Sequence, residues 1–364
     1  MNNSFLDDLK EHLLPCDTNA PFVFISYSAI DKPVIWADVV ELQKLRYNVW
    51  IDEPNLDKTK DSWKDDALSI ISNYNCKMLL FYVSRNSLIS ENCCKELEQT
   101  INETTIEQHA GNKVDILVVE AEPIGNIEAF RKKIQGLIAE SKSDSEKKGR
   151  DASVLYKITT KWLNNNEKVR IVCKTAPGRL GNYIEDLKGQ LEKPCLNLKL
   201  SDNRIYRNAV NNLMEQRCRL AEYQLKICGK EHVPSKLMLA HIYHTRLIEG
   251  SRGTIIASNL WQDACRYLPK EDWGKRGSVL EQEKRYAEAL AFLLGYGESL
   301  QQRKSLFTAG QLWLKKGCKW QAVNALQQSS AMGSKTAYNF LIQLSSIKDS
   351  DIVKNAAKDE VLPE

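Results

Sequence analysis

The sequence predicts an α/β domain with a doubly wound parallel sheet, followed by an all-α helical domain. Four apolar runs in the first half are continuous rather than alternating, as is typical of strands covered on both faces. They lie at residues 23–25, 49–51, 78–83 and 116–119. From about residue 201 the pattern is helical instead. A chain of 364 residues is long enough for two such domains.

Helical patterns separate the first three apolar runs. Their apolar faces are formed by Ile35, Val39 and Leu42 and by Ala67, Ile70 and Ile71. The alternation of strand and helix predicts a parallel sheet with right-handed crossovers. Residues 169–172 are a candidate for one more strand, residues 153–163 for the last helix of this domain, and the charged stretch 141–151 for a mobile loop or insertion. We place the end of the first domain near residue 175.

The composition excludes several classes of protein. No apolar run approaches the roughly 20 residues that a membrane helix needs, and the first residues are acidic and amphipathic, unlike a secretory signal. The ten cysteines are scattered and show no metal-ligand spacing, which fits reduced thiols in the cytoplasm. A net charge of +4, with cations and carboxylates interleaved, argues against nucleic acid. We expect a cytoplasmic protein with no metal, membrane or nucleic-acid partner.

The helical half of the chain shows a repeated spacing. Ala257, Trp261, Ala264 and Pro269 stand at relative positions 0, 4, 7 and 12, which resembles the second helix and closing proline of a tetratricopeptide unit. Similar spacing follows in the residues Ala289, Leu293, Gly310, Trp313, Gly317, Ala322 and Leu326, and a degenerate unit precedes it at Ala221, Leu225 and Cys228. His241 and His244 lack ligand companions, so we predict a core or surface role for them.

We interpret residues 201–345 as a short helical solenoid that resembles tetratricopeptide or Sel1-like repeats. A linker at 176–200 would join it to the first domain, residues 1–175, and a tail at 346–364 would follow it. Such a solenoid would bind an unidentified protein partner or drive assembly. An irregular helical bundle with chance spacing is the alternative.

Three motifs in the first domain resemble those of Toll/interleukin-1 receptor (TIR) domains. They are Phe24-Ile25-Ser26-Tyr27-Ser28, Val49-Trp50-Ile51-Asp52, and a segment with Ser84, Ser87, Ser90 and Cys93 that leads into Glu96. Many TIR domains have a tryptophan where this chain has Asn92. The resemblance implies a flavodoxin-like sheet and cleavage of the nicotinamide–ribose bond of NAD⁺. A noncatalytic TIR adaptor is the alternative, while a nucleoside deoxyribosyltransferase-like enzyme shares the topology but not these motifs.

A single carboxylate is sufficient for that chemistry. Ordinary glycosidases need a second carboxyl group to protonate the leaving oxygen, whereas nicotinamide is cationic in NAD⁺ and departs neutral. Positive charge moves onto the ribose in the transition state, where one fixed carboxylate can stabilise it. Glu96 matches the catalytic glutamate of enzymatic TIR domains and follows the third strand, at the edge of the sheet where ligands bind. The alternative is a solvated glutamate in a charged stretch of helix.

The resemblance also implies substrate-binding residues, with NAD⁺ as substrate and no cofactor. The candidates are Tyr27, Ser28, Lys32, Asp52, Trp63 and Ser84. Tyr27 and Ser28 could meet the ribose or phosphates, Lys32 could bind phosphate, and Trp63 could stack on the nucleotide. Packing or capping is the alternative for Tyr27, Trp63, Asp52 and Ser84.

Family members generally become active when TIR domains self-associate. A neighbour's loop, here residues 53–62, then completes the pocket. The resemblance therefore implies assembly-dependent activity, which fits immune or antiphage signalling. The sequence leaves the choice between linear and cyclic ADP-ribose open.

Overall fold

The computed structural model describes residues 3–56, 63–88, 90–105, 114–120, 170–173, 187–192, 196–248, 252–354 and 356. The chain divides into two compact units, Met1–Leu200 and Ser201–Glu364. The loop predicted at 141–151 and the helix predicted at 153–163 lie outside the described residues, so both stay predictions.

The first unit contains a five-stranded, all-parallel sheet, as predicted. Its strands are β1 (Phe22–Ser26), β2 (Val49–Trp50), β3 (Cys76–Val83), β4 (Asp115–Glu120) and β5 (Arg170–Cys173). Their order is β2-β1-β3-β4-β5, and every neighbouring pair is parallel. This is the flavodoxin-like order, and β5 is the additional strand that the sequence indicated. The order reverses between β1 and β3, so a crevice opens at the carboxyl ends of these two strands.

Helices cover both faces of this sheet. They are α1 (Asn3–His12), α2 (Lys32–Lys44), α3 (Asp52–Asn55), α4 (Trp63–Ile71), α5 (Arg85–Leu88) and α6 (Glu91–Thr105), with a 3₁₀ turn at Ala29–Asp31. The predicted face of α2 is buried at Ile35, Val39 and Leu42. Side chains of β1 alternate between the two layers, with Val23 packing toward α2 and Phe24 toward α4 and α6.

The first unit extends further than the sequence predicted. A helical segment at 187–191 and the chain after it bury four leucines in the α2 layer: Leu187, Leu191, Leu196 and Leu198. The backbone is fixed there as well, since the amide of Leu200 donates to the Arg46 carbonyl oxygen at 2.9 Å. The described part of the predicted linker at 176–200 is therefore core of the first unit. The boundary falls at Leu200 rather than near residue 175.

The described residues of the second unit are helical, as predicted. The helices are α7 (Asp202–Met214), α8 (Cys218–Ile227), α9 (Val233–His244), α10 (Gly253–Cys265), α11 (Lys270–Gln282), α12 (Tyr286–Ser299), α13 (Arg303–Lys315), α14 (Lys319–Ala331), α15 (Lys335–Ser345) and α16 (Asp349–Lys354). The tail predicted from residue 346 instead begins with α16, because Ile352 is buried against the preceding helices.

One packing contact recurs in this unit at the predicted period. Gly277 on α11 faces Leu293 on α12, and Gly310 on α13 faces Leu326 on α14, 33 residues further along. A Cβ atom would lie 2.8 Å from the Cγ atom of Leu293 at the first glycine and 2.7 Å from that of Leu326 at the second. The absence of a side chain thus lets both helix pairs approach closely. Assignment to tetratricopeptide or Sel1-like repeats stays a prediction.

His241 lies in the core of the second unit. Its Nδ1 atom is 2.6 Å from Glu298 Oε1 and its Nε2 atom is 3.2 Å from Gln321 Oε1. Burial alone lowers the pKa of His241, but the neighbouring Glu298 carboxylate outweighs it and the pKa is raised. His241 therefore has a core role. In the described ranges, no group of three or more His, Cys, Asp or Glu side chains could hold a metal ion, and no helix could cross a membrane.

Candidate functional site

Several of the residues that the sequence singled out directly follow β1, β2 and β3, at the carboxyl ends of these strands. The loop after β1 starts at Tyr27, α3 starts at Asp52 directly after β2, and Ser84 follows β3. The helix that carries Glu96, α6, comes after the β3 loop. Ligands of open α/β sheets bind at this switch point.

Glu96 is held at the edge of the buried face of α6. Cys93, Leu97 and Thr100 are buried on that face, and Glu96 beside them is partly accessible to solvent. The hydroxyl of Ser26, the last residue of β1, donates to Glu96 Oε2 at 2.6 Å. Within α6, the Thr100 hydroxyl donates to the Glu96 carbonyl oxygen at 2.8 Å. Glu96 is therefore a positioned side chain rather than a solvated one.

The surroundings favour the neutral form of Glu96 in the empty site. Burial raises its pKa to about 8; the Ser26 hydrogen bond opposes this shift, and the negative charge of Asp52 adds to it. At pH 7 only about a tenth of such carboxyl groups are ionised. A bound cation would reverse this balance, since an opposite charge favours the ionised form.

Tyr27 and Asp52 form a second hydrogen-bonded pair. The Tyr27 hydroxyl donates to Asp52 Oδ1 at 2.6 Å and accepts from Trp36 Nε1 at 3.0 Å. The backbone amide of Glu53 also donates to Asp52 Oδ1, at 2.9 Å. Burial and then the Asp52 charge raise the pKa of Tyr27 far above its usual range, so the phenol is neutral. The Asp52 carboxylate therefore accepts a hydrogen bond within the first turn of α3 and also places negative charge near Glu96.

The two predicted serines take part in loop contacts. The Ser28 hydroxyl accepts from the amide of Ile30 at 3.5 Å, which caps the 3₁₀ turn. The Ser84 hydroxyl donates to the Asp31 carboxylate, and Asn86 Nδ2 donates to the other oxygen of that carboxylate at 2.8 Å. These bonds join the loop after β1 to the loop after β3. Ser84 thus has a structural partner in this crevice.

Lys32 lies at the start of α2 with its charge partly balanced. Its Nζ atom is 3.7 Å from Glu53 Oε2 and 5.0 Å from the centre of the Trp36 ring. Glu53 also pairs with Lys10 on α1, at 2.7 Å. A phosphate on Lys32 would therefore compete with the Glu53 carboxylate.

Trp63 is the first residue of α4, but its side chain is outside the described part of the structure. Residues 57–62 of the predicted neighbour loop are outside it as well, while residues 53–55 belong to α3. Both the stacking role of Trp63 and the role of this loop stay predictions.

Sequence reasoning did not identify Ser26 as a site residue. Residues 22, 24 and 26 of β1 share one face of the sheet, and the first two are buried phenylalanines. A serine in the third position is the signal that could have indicated a polar contact. No comparable sequence signal indicated the role of Asp31, which accepts hydrogen bonds from Ser84 and Asn86.

Comparison with known proteins agrees with the fold. Residues 23–150 match a family model described as TIR domain. This segment runs from the second residue of β1 through β4 and therefore includes both strands of the crevice. No curated protein and no solved structure matches the chain. TIR domains include NAD⁺-cleaving enzymes and adaptors, so the match alone leaves the activity open. The chain contains a TIR domain at residues 23–150.

Proposed function

We propose that this protein cleaves the nicotinamide–ribose bond of NAD⁺, with Glu96 as the catalytic carboxylate. The observation that carries the proposal is the Ser26–Glu96 hydrogen bond of 2.6 Å at the switch-point crevice. It holds a partly accessible carboxylate in one orientation where ligands of this fold bind. Burial destabilises the charged form of a glutamate and so costs free energy. This cost favours a functional role for Glu96 over a chance position.

The chemistry needs one carboxylate in its charged form. The bond between the ribose C1′ atom and the nicotinamide nitrogen breaks, and its electron pair stays on the nitrogen, so nicotinamide leaves neutral. Ionised Glu96 stabilises the positive charge that develops on the ribose. A water oxygen then bonds to C1′ and releases one proton, which gives ADP-ribose. An intramolecular nucleophile in place of water would give the cyclic product.

The electrostatics of the crevice favour a cationic substrate. Asp52 contributes negative charge and raises the cost of ionising Glu96. The pyridinium ring of NAD⁺ would relieve this repulsion and draw Glu96 into its charged form. Reduced nicotinamide nucleotides lack that positive charge and would gain no such stabilisation.

The proposal assigns further binding roles to residues around the crevice. Asp52 acts through its charge, and Tyr27 holds it in place. Lys32 would bind a phosphate in competition with Glu53, and Ser28 would offer its backbone or hydroxyl to the ribose or phosphates. Stacking by Trp63 and pocket contacts by Ser84 are further parts of the proposal.

The proposal extends to assembly. Self-association of TIR domains would close the crevice with a neighbour's loop, and the helical unit would bind a protein partner or a second copy of the chain. Cytoplasmic NAD⁺ cleavage under such control suits immune or antiphage signalling, by analogy with the family.

A noncatalytic adaptor is the second candidate. Asn92 in place of the tryptophan found in many TIR domains, and the pairing of Lys32 with Glu53, favour it. In that case the crevice would bind no nucleotide, and the Ser26–Glu96 bond would only stabilise the fold.

Nicotinamide release separates these candidates. Purified full-length protein at high concentration is incubated with NAD⁺, and products are separated by chromatography. The wild-type protein should release nicotinamide, and Glu96→Gln should reduce the rate by about 10²–10³-fold, because the charge is lost while the shape is kept. Glu98→Gln, an exposed position on the same helix, is the matched control and should keep full activity. No release by any variant would favour the adaptor, and a fully active Glu96→Gln would remove Glu96 from the mechanism.

A further inference from the structure

Ser26 is a polar residue in an apolar layer. It is fully buried at the end of β1, on the face of the sheet where Phe22 and Phe24 pack against the α4 and α6 layer. An unpaired buried hydroxyl is costly, so its presence in this layer requires a partner. The Glu96 carboxylate is that partner.

The backbone that carries Ser26 is rigid. β1 lies between β2 and β3, and Ser26 is in register with Phe81 of β3. The hydroxyl therefore occupies a fixed point relative to the sheet. Glu96 is on a helix that is fixed in turn by its buried residues Cys93 and Leu97. The 2.6 Å bond joins two elements whose backbones cannot easily adjust.

This bond has two consequences for the carboxylate. It anchors Oε2, so Oε1 is the oxygen that would face a ribose in the crevice. A hydrogen bond from a hydroxyl to a carboxylate is also stronger than one to a neutral carboxyl group. Ser26 therefore opposes the burial and the Asp52 charge that favour the neutral form.

We infer that Ser26 is a positioning residue that orients Glu96 and favours its charged form, an inference that rests on the proposed function. Within the described part of this unit, no other charged group takes over this role of Ser26. Asp52 acts in the opposite sense, Tyr27 is neutral and bonded to Asp52, and Lys95 and Glu98 of α6 are exposed. A merely structural serine would stabilise the fold without affecting the ionisation of Glu96.

The test compares Ser26→Ala with Ser26→Thr, which keeps the hydroxyl and suits a strand. The control is Ser69→Ala, an exposed serine that bonds a backbone carbonyl within α4. The first readout is the pH profile of nicotinamide release. The second is the carboxyl ¹³C shift of Glu96 in full-length protein labelled at glutamate, with the resonance identified by its loss in Glu96→Gln.

Ser26→Ala should move both midpoints upward by about one pH unit, which lowers the rate at pH 7 by about tenfold. Ser26→Thr and Ser69→Ala should keep the wild-type midpoints. If Ser26→Ala does not fold, Ser26→Cys, whose thiol is a weak donor, should show the same upward shift. An unchanged NMR midpoint in a folded Ala or Cys variant would overturn the inference. A shifted NMR midpoint without NAD⁺ cleavage by any variant, wild type included, would instead overturn the proposed enzyme.

Discussion

The replacement Glu96→Gln should stabilise the protein in alkaline solution. The folded state holds the Glu96 proton until its pKa of about 8, whereas the unfolded chain loses it near 4.5. Between these values the folded state binds a proton that the unfolded state does not. The stability of the wild type therefore falls as pH rises through this window and stays low above it. Glutamine cannot ionise, so the stability of the variant does not fall with pH in this way.

The size of the effect follows from the two pKa values. One pH unit corresponds to about 1.4 kcal/mol, which gives an upper limit of about 5 kcal/mol for the full window, and about half of that for a partly accessible carboxyl group. In a unit of this size, 1 kcal/mol shifts the melting temperature by about 2–4 °C. Glu96→Gln should therefore melt about 5–10 °C above the wild type at pH 8.5, and the two should nearly coincide at pH 4.5.

Differential scanning calorimetry from pH 4.5 to pH 9 measures this difference directly. Glu98→Gln is the control, because its exposed carboxyl group should leave the melting temperature close to that of the wild type at every pH. A difference between Glu96→Gln and the wild type that stays constant over the whole range would show that Glu96 titrates normally. The account of its environment would then be wrong.

Two further predictions concern the units of the chain. A fragment ending at Leu200 should melt cooperatively in circular dichroism, while one ending at residue 175 should not, because it lacks four leucines of the core; equal melting would restore the shorter boundary. In the second unit, Gly310→Ala should cost about 1–3 kcal/mol in urea unfolding, since its Cβ atom would lie 2.7 Å from Leu326 Cγ. Gly189→Ala, in the first unit and with nothing within 4 Å of the added atom, shows the effect of the same substitution without a clash. A Gly310 variant as stable as the wild type would contradict this packing.

The sheet was predictable from sequence because both of its faces are covered. Strands that are buried on both faces have continuous apolar sequences, and such sequences predicted β1, β2, β3 and β4. Even the short run at β5 was visible as a candidate strand. The buried faces of the helices were likewise predicted from the 3.6-residue spacing of their apolar residues.

The site was only partly predictable. Glu96 was identified by resemblance to TIR domains, but its anchor Ser26 is 70 residues away in the chain, and nothing local connects the two. The pairing of Tyr27 with Asp52 likewise depends on the neighbouring positions of β1 and β2. Such contacts arise from sheet order, which individual motifs do not specify.

The boundary between the units was misplaced for a related reason. Leu187 and Leu191 lie one helical turn apart, but the segment that carries them is short, and its partner layer is built from the beginning of the chain. Local pattern could not distinguish a polar linker with a few leucines from a segment that returns to the core.

The pH dependence of nicotinamide release by the wild-type protein tests the central claim most directly. The ratio kcat/KM for NAD⁺ reports ionisation in the free protein. If the charged form of Glu96 stabilises the transition state, kcat/KM should rise about tenfold per pH unit below its midpoint and level off above about pH 8. A rate that is flat or falls across this range, in protein that remains folded, would show that ionised Glu96 is not the catalytic group.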